Sequence, residues 1–298
     1  MKNLVLLLAF CSSIIATAQF QITYNLEKGE TYPQNQVMTS ESSQVINGAP
    51  QDVTTTVTTK SDYIVTDIID GIYQIDIKIH NLSNTTKTAM GNQVIDSDGA
   101  ESNPMNRLFS NMIKYPIKVT MNNKGEILTF DNSAQLKNMT EGIEMPELQL
   151  AQIEAAMVEQ MSAEKQMVNY SLITNILPDN EVKEGDTWKN ELTINSVTQF
   201  DTTTTYKLES VTDDYYIITA QAKIQSPEDS QMDMMGLKAK VDLAGPLTAS
   251  YTLDKKTGWL KKGKTEQQLD GSMTVEKSEM MPQEMKITMK TNTTTIIE

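Results

Sequence analysis

Apolar and polar residues alternate with a period of two along most of this chain. Phe20, Ile22, Tyr24 and Leu26 alternate with Gln21, Thr23 and Asn25, which predicts an opening strand with one buried and one wet face. Lys28-Gly29-Glu30 predicts a turn, and residues 31–46 a long, polar, exposed antiparallel strand. Strands are expected at 54–60 and 63–69. Asp70-Gly71 is a two-residue hairpin signal leading into 72–82, where Ile75, Ile77 and Ile79 share a side. Asn122-Asn123-Lys124-Gly125 predicts a second hairpin, between 117–121 and 126–130. Further strands are expected at 192–197, 203–210, 216–224, 238–243, 247–253, 259–266 and 287–297. Threonine is abundant in them; it is β-branched and soluble, which suits strands with one face in water.

The period changes in the middle. Asn132 or Ser133 can cap a short helix running to about Gly142. Met145-Pro146 opens a longer helical stretch, with proline at a tolerated first-turn position. Leu150, Ile153, Met157, Met161, Val168 and Leu172 recur at spacings near three and four, interrupted around Lys165. That pattern predicts one long amphipathic helix, or two broken near Ser162. Leu177-Pro178-Asp179-Asn180 stops it. A smaller helical turn is expected over 105–113.

The second half echoes the first. Glu27-Lys28-Gly29-Glu30-Thr31-Tyr32 is answered by Lys183-Glu184-Gly185-Asp186-Thr187-Trp188. The threonine run at 53–59 leading to Asp70-Gly71-Ile72-Tyr73 is answered by 202–205 leading to Asp213-Asp214-Tyr215-Tyr216. The Asn123-Lys124-Gly125 turn is answered by Lys256-Thr257-Gly258. Similarities in one order imply a duplicated β unit. The organisation reads as a leader at 1–18, β repeat A at 19–131, a helical insert at 132–177 and β repeat B at 178–298. The fold class expected is mainly β with a central α segment: two similar antiparallel units forming a curved sheet or half-barrel packed on a long amphipathic helix. Between sheet and helix, a filled core and an apolar cavity both remain open.

Lys2, the apolar run 4–10 and Ala16-Thr17-Ala18 have the form of a secretory signal peptide cleaved after Ala18. Leu8-Ala9-Phe10-Cys11 is similar to a lipobox, but Phe10 stands where a small residue is needed, so cleavage is expected rather than lipid anchoring. Cys11 is the one cysteine and leaves with the leader, which excludes disulfide and thiolate chemistry from the mature chain. The net charge of −14 becomes −15 without Lys2, and Arg107 is the one arginine. That balance argues against nucleic acid and anionic lipid surfaces as partners.

Candidate chemistry is sparse. Nineteen methionines include clusters at Met232, Met234 and Met235 and at Met280, Met281, Met285 and Met289. A thioether copper site would want His or Cys nearby; the one histidine, His80, falls in alternation with Asp76 and Lys78 on a polar face. The clusters instead suit ordinary packing or an adaptable apolar lining. Asp96-Ser97-Asp98-Gly99 resembles the start of a calcium loop without its later ligands, and is expected to be a turn. No nucleophile elbow, glycine-rich phosphate loop or zinc-protease motif is present. Trp188 and Trp259 are expected to anchor equivalent corners of the two units, or to offer ligand platforms.

The Ala-Thr-Ala-Gln junction at 16–19, the paired Gly29-Glu30-Thr31-Tyr32 and Gly185-Asp186-Thr187-Trp188 openings and the Asn123-Lys124-Gly125 hairpin resemble an uncharacterised family of exported β-rich proteins from Bacteroidota. The deduced shape is similar to the half-barrels of periplasmic lipoprotein carriers, by architecture alone. Asp201-Thr202-Thr203 is similar to the O-glycosylation acceptor pattern of such bacteria, with Thr202 as acceptor. The function expected is an exported, periplasmic or extracellular, non-catalytic carrier or sensor of an apolar ligand such as lipid, without cofactor or metal. Its lining residues would be Leu150, Ile153, Met157, Met161, Val168, Leu172, Trp188 and Trp259. The alternative is a structural or protein-interaction component of the cell envelope without a small-molecule ligand.

Overall fold

The structure, a computed structural model, describes residues 19–46, 49–195, 199–228, 230–234, 237–277 and 283–298. The leader with Cys11, and Met235, Met280 and Met281, lie outside the described residues. Before the insert come β1 (Thr31–Ile46), β2 (Ala49–Ile69), β3 (Ile72–Thr88), β4 (Gly91–Asp96), α1 (Pro104–Ile113), β5 (Ile117–Met121) and β6 (Ile127–Asp131). The insert holds α2 (Ser133–Asn138), α3 (Glu147–Gln160) and α4 (Ala163–Thr174). After it come β7 (Thr187–Asn195), β8 (Gln199–Val211), β9 (Tyr215–Gln225), β10 (Gln231–Met234), β11 (Leu237–Asp254), β12 (Leu260–Val275) and β13 (Met285–Ile297).

The strands form one antiparallel sheet, not closed into a barrel. Its order is β6-β5-β3-β2-β1-β13-β12-β11-β9-β8-β7, with β4 on β3 and β10 on β11. The two halves are meanders laid end to end, and β13 joins them by pairing with both β12 and β1. β1, expected to be exposed, therefore runs through the middle of the sheet. β2 unites two expected strands across a bulge at Lys60/Ser61, and β11 unites two more across Gly245-Pro246.

The echo in sequence corresponds to one local structure built twice. Gly29 N–H donates to the Val65 carbonyl (2.8 Å), and Val65 N–H to that of Glu30 (3.0 Å). Gly185 N–H donates to the Leu208 carbonyl (2.8 Å), and Leu208 N–H to that of Asp186 (3.0 Å). Both glycines are left-handed, with φ of 87° and 89°. Val65 and Leu208 are fully buried, and each strand bulges immediately afterwards. Tyr32 pairs across strands with Tyr63 as Trp188 does with Tyr206.

The opening segment keeps its alternation, with Ile22, Tyr24 and Leu26 buried, but is no sheet strand. Its N–H groups bond to turns instead. Tyr24 N–H reaches the Asn123 carbonyl (2.8 Å), Asn25 N–H that of Thr257 (2.9 Å), and Phe20 bridges to Val182. It is a strap across the end of the sheet, tying the β5–β6 turn to the β11–β12 turn.

The helical stretch divides at Met161-Ser162, and its halves do different work. Ile153, Met157 and Met161 pack against Leu108 and Met112 of α1 and Met139 beyond α2, not against the sheet. α4 touches both edge strands, β6 and β7. Met167, Tyr170 and Ile173 pack on the main core, rather than the expected Val168 and Leu172, which are half-buried. The break resets the helical phase, so a stripe extrapolated across it selects the wrong residues. No helix among the described residues is long and apolar enough to cross a membrane.

The residues ending α4 clasp the two edges. Thr174 Oγ1 donates to the Gly125 carbonyl (2.7 Å), and Tyr24 Oη donates to the Thr174 carbonyl (3.1 Å). Asn190 Nδ2 and Trp188 Nε1 of β7 donate to the carbonyls of Asn175 (2.7 Å) and Ile176 (3.1 Å). Gly125 has φ of 86°, and an added Cβ there would overlap the Thr174 carbonyl oxygen. Gly185 has open space around it. Gly185→Ala should therefore cost about 1–2 kcal/mol for its left-handed backbone, and Gly125→Ala about 1–3 kcal/mol more for the overlap. Urea unfolding of both variants checks this; equal losses would mean the clasp yields freely.

Candidate functional site

The ladder register defines the inner face of the sheet, the one that α4 meets. Tyr32, Gln34, Gln36, Met38, Ser40 and Ser42 of β1 lie opposite Tyr63, Ser61, Thr59, Val57, Thr55 and Val53 of β2. On the other side of β1 stand Ile297, Thr295, Thr293 and Thr291 of β13. The face has three zones. At the strapped end, Trp259 sits 3% exposed among Tyr24, Tyr32 and Tyr63, with ring centroids 6.2, 5.0 and 5.0 Å away. On β11–β13 toward the opposite end, Val241, Leu243, Met273 and Ile287 form a second apolar cluster, with Met285 and Met289 against it. Between them lies a half-buried band of hydroxyls and amides, in which Thr291 Oγ1 donates to Ser42 Oγ and Thr293 Oγ1 to Ser40 Oγ, both at 3.3 Å.

Charge separates the two faces. Among the described residues, the positions in register on the inner face include no Asp, Glu, Lys, Arg or His. The alternate, outward positions carry Lys264, Glu266, Asp270, Lys286 and Lys290. A dry core would have used aliphatic side chains in the band. A plain solvent face would carry charges, as the outer one does. The inner band is both half-wet and uncharged.

Between α4 and the facing stretches of β1 and β2, a cavity of about 200 Å³ remains. Gln34, Gln36, Thr59, Ser61 and Tyr63 line it from the sheet, and Gln166, Asn169, Tyr170 and Ile173 from α4. Gln34 is 5% exposed and Ser61 8%. Ser61 Oγ donates to the Gln34 carbonyl (3.4 Å) and Gln166 Nε2 to that of Gln160 (3.3 Å). The Gln34 and Asn169 amides and the Tyr63 and Tyr170 hydroxyls make no hydrogen bond among the described residues. Burial pushes the Tyr170 hydroxyl up to about 12 and that of Tyr63 well above its ordinary value. The cavity is thus neutral, with donors and acceptors mixed and in part unpaired.

The residues singled out in the sequence are not brought together. Ile153, Met157 and Met161 belong to the helical cluster, and Leu150, Val168 and Leu172 are half-buried outside the cavity. Trp188 stacks on Tyr206 (5.8 Å, 13°) and serves the clasp. Trp259 packs on tyrosines of the first unit, so the tryptophans do not hold equivalent corners. His80 pairs with Asp62 at 2.7 Å, both partly exposed. Asn81 Nδ2 donates to Asp96 (3.1 Å) and Asp98 (2.8 Å), placing an amide between the carboxylates of the calcium-like turn. Among the described residues no group of three or more His, Cys, Asp or Glu could hold a metal. Thr202 is 6% exposed, on the inner side of β8. Sequence reasoning passed over Gln34, Ser61 and Asn169, since polar residues alternating in a strand read as a solvent face; the signal was the missing charge at every second position.

Fold and site together define an open antiparallel sheet that holds a helix and an uncharged inner trough. The chain belongs to the DUF6263 family, a family of unknown function, whose model matches residues 70–260. No curated protein matches it. Among solved structures the chain is similar to lipovitellin, studied for its lipid–protein interactions, at 12% identity and a TM-score of 0.49, with 92% of this chain and 25% of that one covered. The chain thus spans about a quarter of that protein. An outer membrane channel from Pseudomonas putida F1 is similar at 8% identity and a TM-score of 0.20, with 92% and 97% covered. Neither likeness bears on function at these scores.

The buried tyrosines set a pH dependence. The unfolded chain releases tyrosine protons near pH 10, while the fold keeps those of Tyr63 and Tyr170 bound at higher pH. Above that point the folded state holds more protons, so stability falls as pH rises, until Tyr170 titrates at about 12. Urea midpoints should be level to about pH 9 and decline beyond it. Tyr170→Phe should shallow the decline, and an unchanged slope would place that hydroxyl in bulk water.

Proposed function

We propose that this is an exported, non-catalytic binding protein that holds an uncharged, partly apolar ligand such as a lipid along the inner trough. The observation that carries the reading is the half-buried, charge-free band between two apolar clusters. Met38, Val57, Leu269 and Met289 offer flexible or branched apolar contact, and Ser40, Ser42, Thr291 and Thr293 offer hydroxyls beside them. Methionine conforms to irregular chains. Buried charge would have to be matched by the ligand, whereas neutral hydroxyls that already pair with one another, as Ser42 with Thr291 and Ser40 with Thr293, cost less to cover with a neutral ligand. The same lining supports a role without chemistry. General acid–base catalysis needs a group that titrates near the working pH, and the inner face offers only tyrosines. The leader-like N-terminus supports action outside the cytoplasm.

The test is native mass spectrometry of the mature protein, purified gently from the envelope fraction of its own host. An excess mass that disappears on organic extraction is expected. Thr293→Asp, on the inner face, should lower the bound fraction at least about tenfold, or ~1.4 kcal/mol. Asn292→Asp, one residue along and facing outward, should leave it unchanged. A bare mass for the unaltered protein would overturn the reading.

A further inference from the structure

We infer that the cavity between α4 and β1–β2 receives a sugar ring, which makes the ligand of the trough a neutral glycolipid. This deepens the proposed function and rests on it. At about 200 Å³, the cavity is smaller than the roughly 300–1,000 Å³ of sites that enclose a whole drug-sized ligand. It suits one ring, with the remainder of the molecule lying along the trough. Gln36 and Thr59 line the cavity and also begin the band that leads away from it.

The chemistry narrows the ring to a polyol. Gln34 is 5% exposed, lines the cavity and has no side-chain partner among the described residues. What stays open of its amide faces the cavity, where the hydroxyls of a bound ring can replace water as its partners. Each amide presents a donor and an acceptor side by side, which matches two neighbouring hydroxyls. The Tyr63 and Tyr170 hydroxyls add two more groups that can donate or accept, and both stay neutral. The tyrosine rings offer apolar surface to the carbon face of a sugar. A phosphate or carboxylate head would find no cation in this lining, and an ammonium head no anion.

Calorimetry on the full mature chain separates the two claims. The probes are octyl β-glucoside, octyl tri(ethylene glycol) and octyl phosphate, all below their micelle concentrations. The three share a chain and differ in head group. The glucoside should bind at least about tenfold more tightly than either of the others. Gln34→Leu should erase that advantage while leaving the ethylene glycol ether unaffected. Asn169→Ala, on the exposed side of α4, gives the same readout should Gln34→Leu fail to fold. Equal binding of glucoside and ether by the unaltered protein would overturn the sugar site and leave the trough standing. Tightest binding of octyl phosphate would also overturn it. Failure of all three to bind would overturn the sugar site, whereas the envelope mass measurement judges the trough by itself.

Discussion

Two free edges govern this molecule. A sheet whose main path runs through eleven strands ends in β6 and β7, and each edge strand presents unpaired N–H and C=O groups with half of an apolar face behind them. Direct pairing of β6 with β7 would make a closed barrel. The chain instead places α4 and the residues after it between the edges. Thr174 reaches the turn before β6, and Trp188 and Asn190 of β7 reach the carbonyls of Ile176 and Asn175. Curvature follows from that clasp, because both edges must come to one helix. An inside exists only because the sheet is curved. The requirement for glycine at 125 is the same constraint in miniature, since any side chain there would push the clasp off the β5–β6 turn.

Like turns recur in the two halves of the sheet, and the departures from likeness explain how the halves become one body. The turn at Gly29 and the turn at Gly185 share their hydrogen bonds, backbone angle and following bulge. Yet Tyr32 in one unit is Trp188 in the other. Tyr32 packs at 5.0 Å on Trp259 from the opposite unit, within a crowded core. Trp188 lies at the free edge, where a larger ring stacks on Tyr206 and an indole N–H is needed for the clasp. β13 has no counterpart in the first unit, and its pairing with β1 turns two meanders into one sheet.

Much of this was legible in the chain. Local turn chemistry located the hairpins at Asp70-Gly71 and Asn123-Lys124-Gly125, and alternation located most strands, because both signals are complete within a few residues. What escaped depends on distant partners. The strap alternates like a strand, but its backbone groups go to Asn123 and Thr257, far along the chain. β1 reads as exposed since its inner residues are Gln, Ser and Met; only its register with β13 brings it to the centre. The phase of α4 was lost at Ser162, where a short break rotates everything after it. For the site, Met157 and Trp259 stand out in the sequence as apolar candidates, whereas the geometry assembles Gln34, Ser61 and Asn169. Polar side chains carry no sequence sign of which way they face until the sheet is curved.

The inner face has a physical logic of its own. Stability alone would favour filling the band with Val, Ile and Leu, since each buried methylene contributes about 0.8 kcal/mol. Solubility alone would favour Lys and Glu, which this acidic chain deploys freely outside. Threonine and serine serve neither aim well. They keep a half-wet surface from collapsing on itself, satisfy one another as Ser40 and Thr293 do, and leave hydroxyls that can be re-paired. A surface of that kind exchanges water for another neutral partner at little net cost, because every hydrogen bond given up can be remade. At the cavity the balance tilts further. Gln34 is 5% exposed and lines the cavity, so its side chain is largely ordered on folding rather than on binding.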